Sequence, residues 1–145
     1  ADRKKHVFDD DIIALVDEQL AAEGERIGFK RLRVVAGTDG PQTAEIDLIV
    51  DGEEKFAIAR GNGPVDAVFN AIRQLVPHSA VLELYQVHAV TGGTDAQATV
   101  SVRLNGDGIM STGRSSDPDT LVASAKAYLH ALNKFEVRKS KRRAA

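Results

Sequence analysis

The chain has 145 residues, a formal net charge of −2 and no cysteine, with 43% hydrophobic and 28% charged residues. That length suits one domain, burying roughly 70% of its unfolded surface. The composition excludes disulfides, thiolate catalysis and Cys-ligated metals, offers no broad attraction to nucleic acid or membrane, and holds no apolar run near the ~20 residues that span a bilayer. No secretory signal is visible, so a cytoplasmic location is expected. The chain opens on Ala1 rather than Met, as expected of a piece of a longer protein.

Asp9 to Glu23 reads as a helix. Asp9, Asp10 and Asp11 suit its N-terminus, Ile12, Val16 and Leu20 line one face, and Gly24 stops it. From Phe29 the period changes to two. Leu32 and Val34 mark one strand, Ile46, Leu48 and Val50 a second, and Phe56 and Ile58 a third. Asp51-Gly52 is a strong hairpin signal between the last two, and Asp39-Gly40-Pro41 marks the other turn. Gly61-Asn62-Gly63-Pro64 then opens a helix, proline suiting the first turn. Val65, Val68, Phe69, Ile72, Leu75 and Val76 give it a broad apolar face, and Pro77 ends it.

The second half repeats this plan. A single ungapped shift lays Ala44, Ile46, Leu48, Val50 and Gly52 on Ala98, Val100, Val102, Leu104 and Gly106, and Pro64, Val68, Ala71 and Leu75 on Pro118, Val122, Ala125 and Leu129. Such a period marks related supersecondary units. Leu82, Leu84 and Val90 belong to a first strand, Val100 to Leu104 to a second, Asn105 to Gly108 to a hairpin and Ile109 to Thr112 to a third. Asp117 is placed to cap a helix whose buried face is Leu121, Val122, Ala125, Tyr128, Leu129 and Leu132. The expected fold class is α+β: two βββα repeats related by a pseudo-twofold, antiparallel sheets packed on helices, preceded by a linker helix. The expected divisions are a linker over 1–27, a two-repeat domain over 28–135 (repeats 28–77 and 80–135), and a basic disordered tail over 136–145.

No catalytic constellation is present. His6, His78, His88 and His130 lack metal-ligand spacing, Ser115 and Ser116 lack a nucleophile elbow, and Gly61-Asn62-Gly63 follows an antiparallel strand, which argues against a dinucleotide loop. Two glycine- or serine-rich junctions do precede helix N-termini, where free backbone N–H groups suit a carboxylate or phosphate. The alternative is a tight turn with no ligand. Thr91-Gly92-Gly93-Thr94-Asp95-Ala96 supplies another glycine-rich backbone and a carboxylate, which either meets an ammonium group or caps its own turn. Together the loops suit both ends of a zwitterionic amino acid.

At these residues the chain resembles a known family. RGNGPVDAVFNAI, LELYQVHAVTGGTDAQATVSVRL and GRSSDPDTLVASAKAYLHALNKF are similar to the C-terminal regulatory domain of 2-isopropylmalate synthase, over about Phe29 to Phe135. The resemblance implies a homodimer that binds L-leucine as a feedback inhibitor. It also implies a parent enzyme condensing acetyl-CoA with 2-oxoisovalerate in a TIM barrel that holds a divalent metal. A chain this short cannot include that ~250-residue barrel, so neither cofactor nor synthase activity is expected of it. Carried across by motif, the leucine site comprises Gly61, Asn62, Gly63, Val65, Asp66, Leu82, Tyr85, Ala89, Asp95 and Ala96. Rival implications are an isoleucine-binding domain of citramalate synthase and a dimerisation module without an effector. A nucleic-acid binder using Lys139 to Arg143 is opposed by the net charge and the 5% aromatic content.

Overall fold

A computed structural model describes residues 25–90 and 97–144. The expected helix at Asp9–Glu23 lies outside the described residues. The rest is βββα twice over: β1 (Ile27–Val35), β2 (Gln42–Val50), β3 (Glu53–Gly61) and α1 (Pro64–Leu75), then β4 (Val81–Val90), β5 (Gln97–Gly106), β6 (Ile109–Asp117) and α2 (Thr120–Ala144). The strands form two separate antiparallel sheets, ordered β1-β2-β3 and β4-β5-β6. The α+β class with two βββα units is therefore as the sequence implies.

Both β2–β3 and β5–β6 close through two-residue turns. Asp51 and Gly52 have φ of 52° and 83°, and Asp107 and Gly108 have 53° and 75°. Positive φ at both central positions matches the right-handed strand twist. The second tip is therefore Asp107-Gly108; Asn105 and Gly106 remain in the ladder opposite Met110 and Ile109. Asp51 and Asp107 are thus further apart in the chain than Pro64 and Pro118 are. The link into the helix is nonetheless two residues in both repeats, Asn62-Gly63 and Pro118-Asp119, so α2 starts at Thr120 and Pro118 stands before its cap rather than in its first turn. Bulges interrupt the edge strands at matching places, at Lys30 in β1 and Glu83 in β4. The second bulge turns Leu84 to the outer face and Tyr85 to the inner one.

The core lies between the sheets and the helices. Ala44, Ile46, Leu48 and Val50 of β2 and Val100, Val102 and Leu104 of β5 face inward at full or nearly full burial. On β3 the inward residues are Ala57 and Ala59, while Phe56 and Ile58 stand outside at 51% and 50% exposure. The reason is the closeness of the helices, which leaves room only for small side chains. On β6 the same holds for Ser111 and Gly113. A Cβ at Gly113 would sit 2.1 Å from Ala127 O and 2.3 Å from Ala131 N.

Helix α2 packs on β5 and β6 with one side and on α1 and β1 with another. Its buried surface consequently exceeds the expected stripe: Ala123, Ser124, Ala127, Ala131 and Asn133 are buried along with Ala125, Tyr128, Leu129, Leu132 and Phe135. Asn133 closes the seam to the first repeat. Its Oδ1 accepts from Arg26 N and Ile27 N at 3.2 Å, and its Nδ2 donates to Ile27 O at 2.9 Å. The helix cap also differs from expectation. Asp119, not Asp117, caps α2. Its Oδ1 accepts from Leu121 N at 2.8 Å and Val122 N at 3.3 Å.

The expected disordered tail from residue 136 is instead the last part of α2, which runs to Ala144. It is held by the β5–β6 hairpin tip. Arg138 donates to Met110 O, Arg142 donates to Asp107 O, and Lys139 Nζ lies 3.6 Å from the Asp107 carboxylate. The basic residues thus serve the negative end of the helix and an adjoining turn. A charge run reads as solvated in sequence because its partners come from another element.

Between the repeats, His78 Nδ1 accepts from Ala80 N at 3.2 Å, which leaves the proton of the neutral ring on Nε2 to donate to Tyr128 Oη at 2.7 Å. Burial lowers the His78 pKa, with Arg73 adding to the effect, and burial pushes Tyr128 up to about 12.

In urea unfolding, Gly113→Ala loses about 3 kcal/mol by overpacking, while Gly37→Ala, with open space around it, changes stability by less than ~0.5 kcal/mol. Asn133→Leu costs about 2 kcal/mol or more by stranding the Arg26 and Ile27 amides. For pH, the folded pKa of His78 lies below its unfolded value near 6.5, so the unfolded state binds more protons below that pH. The stability held by neutral His78 is present above about pH 6.5 and falls as the medium is acidified. His78→Gln removes that part of the slope, read from unfolding midpoints between about pH 5 and 8.

Candidate functional site

Glycine builds the β3–α1 junction. A Cβ on Gly61 would lie 2.3 Å from Ala67 N, so strand and helix meet at a separation that excludes any side chain. Gly63 differs. It has extended backbone, φ −154° and ψ 172°, and a Cβ there would touch nothing within 4 Å. No side chain caps α1. Pro64 has no N–H, and the first amide satisfied within the helix is that of Ala67, which donates to Gly63 O at 3.0 Å. The Val65 and Asp66 amides have no intrahelical acceptor, and they point out of a positive helix end beside the open flank of Gly63.

Asp66 fixes the loop in front of them. Its Oδ2 accepts from Asn62 N at 2.9 Å and from Asn70 Nδ2 at 3.5 Å. Asn70 in turn donates to Arg60 O at 2.9 Å and accepts from Arg73 Nη2 at 2.7 Å. Among the described residues Asp66 Oδ1 makes no hydrogen bond, which leaves one carboxylate oxygen for an ammonium group.

The corresponding junction of the second repeat is closed. Asp119 satisfies the first amides of α2, Asp117 Oδ1 accepts from Asp119 N at 2.9 Å, and Ser116 Oγ pairs with Thr99 Oγ1 at 2.7 Å. Among the described residues the two junctions therefore differ in their second and third helical amides, which Asp119 accepts from in α2 and no side chain accepts from in α1.

The wall comes from β4. Leu82 and Tyr85 both face inward, half-buried, because the bulge at Glu83 offsets the alternation. The Tyr85 ring stands edge-on to Phe69, with centroids 5.7 Å apart at 78°. Phe69 is three positions along α1 from Asp66, so Tyr85 reaches the second turn of the same helix. The Tyr85 hydroxyl lies 2.7 Å from Ser124 Oγ, and Ser124 donates to Thr120 O at 2.7 Å. Tyr85 is therefore the donor to Ser124 and ties β4 to both helices. Beyond it Val87 pairs in register with Val100 on the inner side yet remains 45% exposed.

The structure thus brings Gly61, Asn62, Gly63, Val65 and Asp66 together at the junction and sets Leu82 and Tyr85 on the facing strand. Ala89 is in β4 opposite Ala98. Asp95 and Ala96 lie outside the described residues. Asn70, Ser124 and Val87 were not among the residues singled out in sequence, and Phe69 was singled out there only as part of the apolar face of α1. Asn70 had a helical i+4 spacing from Asp66 to betray it, whereas Ser124 had no local signal. His88, in β4, is exposed.

Elsewhere, a cavity of about 580 Å³ is lined by Arg26 and the last turns of α2. Arg26 there is committed to Asp51 at 2.9 Å and Glu136 at 3.6 Å. Among the described residues no group of three or more His, Cys, Asp or Glu can hold a metal ion, and no helix is long and apolar enough to cross a membrane.

The chain is 68% identical over 143 residues to a 2-isopropylmalate synthase of Caulobacter sp. (strain K31), which accounts for 99% of this chain and 27% of that protein. It is 64% identical over 141 residues to the 2-isopropylmalate synthase of Bradyrhizobium diazoefficiens, 97% of this chain and 27% of that protein. To that of Nitrobacter winogradskyi it is 65% identical over 135 residues, 93% and 26% respectively. The chain thus spans about a quarter of the length of these curated relatives. Residues 6–136 match the family described as the LeuA allosteric (dimerisation) domain, and with nine-tenths of its length inside that match the chain belongs to this family.

Proposed function

We propose that this chain is the regulatory and dimer-forming part of a 2-isopropylmalate synthase and that it binds L-leucine as a feedback inhibitor. The observation that carries the reading is the uncapped start of α1. Its Val65 and Asp66 amides, beside the open Gly63, suit a carboxylate, and Asp66 Oδ1 suits the ammonium group of the same amino acid. Leu82, Tyr85 and Val87 supply apolar surface for an aliphatic side chain, with Ala89, Asp95 and Ala96 completing the set. The names of the relatives support the enzyme. The acyl transfer and its divalent metal belong to a catalytic barrel outside this sequence, and the chain itself requires no cofactor.

Inhibition is then a coupling free energy, typically about 1–3 kcal/mol, between this site and the barrel. Leucine must bind one arrangement of the regulatory dimer better than another. Tyr85 is the natural point of leverage, since a ligand against its ring bears on α1 through Phe69 and on α2 through Ser124.

Calorimetric titration of the chain with L-leucine, L-isoleucine and L-valine tests the proposal. Saturable leucine binding is expected, weakened at least tenfold in Asp66→Asn and abolished in Gly63→Val. The second variant is informative because extended Gly63 accepts a side chain without a clash, so the fold survives while the side chain fills the ligand's space. Isoleucine binding tenfold tighter than leucine overturns the choice of effector. No binding of any of the three by a folded chain overturns the sensor reading.

A further inference from the structure

The outer faces of the two sheets have diverged in charge. In the first sheet the pair immediately beyond the bulge is Arg31 with Asp47, and two residues further comes Arg33 with Glu45. Both are ion pairs, at 2.9 and 3.5 Å. In the second sheet the pair immediately beyond the bulge is Leu84 with Arg103, followed by Gln86 with Ser101. An arginine therefore stands where the first repeat has Asp47, and a serine where it has Glu45. Across the other edge of β5, Ser101 pairs with Arg114, and Arg103 with Thr112.

Two guanidinium groups thus lie diagonally adjacent on one sheet face, within the reach of long side chains. Their neighbours there are Ser101, Thr112, Leu84, Gln86 and His88, with Glu83 exposed at the bulge beside Leu84, and no outward position of β5 or β6 carries a carboxylate. Among the described residues neither arginine makes an ion pair. Arg114 Nε reaches only Ser101 Oγ, at 3.4 Å. Arg103 Nε is shielded from solvent and has no hydrogen-bond partner, the one such side-chain nitrogen or oxygen among the described residues. A shielded donor of this kind calls for an acceptor, and arginine forks match the oxygens of a phosphoryl group.

From this we infer that Arg103 and Arg114, with the Ser101 and Thr112 hydroxyls, form a site for a phosphoryl anion on the outer face of the second sheet, separate from the α1 junction. The ligand is either inorganic phosphate or a phosphate monoester, which present the same oxygens. Ser101 is central because its Oγ already meets Arg114 and its strand neighbour two positions on is Arg103.

The test titrates the full chain with inorganic phosphate and with glycerol 3-phosphate, against sodium chloride at matched ionic strength, following backbone amide shifts. Saturable shifts centred on Arg103 and Arg114 are expected, and the tighter ligand of the two identifies the source. Arg114→Gln weakens binding about tenfold. Ser101→Asp returns a carboxylate to this face, pairs with Arg114 and abolishes phosphate binding in a chain that still folds; leucine binding in that variant is unchanged. Shifts matched by chloride, or phosphate binding that survives Ser101→Asp, overturn the assignment.

Discussion

Nearly everything in this domain follows from burying one helix on all but one narrow side. Between Ala123 and Phe135, α2 is covered by its own sheet, by α1 and by β1. A helix so placed keeps only a narrow polar stripe, at Lys126, His130 and Lys134. Its alanines permit close approach, and the strand opposite must be small too, which is why Gly113 and Ser111 face it. The polar groups caught in this layer are satisfied across element boundaries: Ser111 Oγ donates to Ala131 O at 2.8 Å, and Asn133 closes the Ile27 backbone. At β1 the contact is completed by Lys126 Nζ, 5.4 Å from the centre of the Phe29 ring, where a cation is attracted to the aromatic face. The result is one core from two repeats, since the helix of the second half is also a wall of the first.

That sharing gives the duplicated plan different chemistry in each half. Both repeats use the same bulge and the same hairpin turn, yet their helices begin differently. Helix α2 starts on a self-capping Asp119 and is closed to ligands. Helix α1 starts on glycine and proline, and its first amides remain available. A cap contributes about 1 kcal/mol, so leaving α1 uncapped sacrifices stability at the position where donors are available for recognition. The outer sheet faces diverge likewise, from closed Arg–carboxylate pairs to two arginines that make no ion pair among the described residues.

Tyr85 links the proposed effector site to the core. Edge-on packing against Phe69 and a hydroxyl spent on Ser124 make its position depend on both helices at once. A side chain held from two sides has few alternative rotamers, so displacing it shifts packed elements rather than a loose loop. In the sensor proposed above, coupling between the ligand and a neighbouring domain runs through packed elements of this kind.

The sequence by itself determined the elements, their order, the duplicated plan and the glycine junction at Gly61–Gly63, because each is a local pattern: alternation, helical spacing, turn residues, Pro64 at a first turn. Only the tertiary structure decided which face of a strand is inside. Phe56 and Ile58 alternate as well as Ala57 and Ala59 do, and the closeness of α1 selects the small pair. It likewise decided that residues 136–144 continue a helix, since Asp107 and Met110 reach them from a distant hairpin. It placed Asp119 rather than Asp117 at the cap, and made partners of Tyr85 and Ser124, 39 residues apart. These are contacts between elements remote in the chain, and local periodicity carries no information about which surfaces meet.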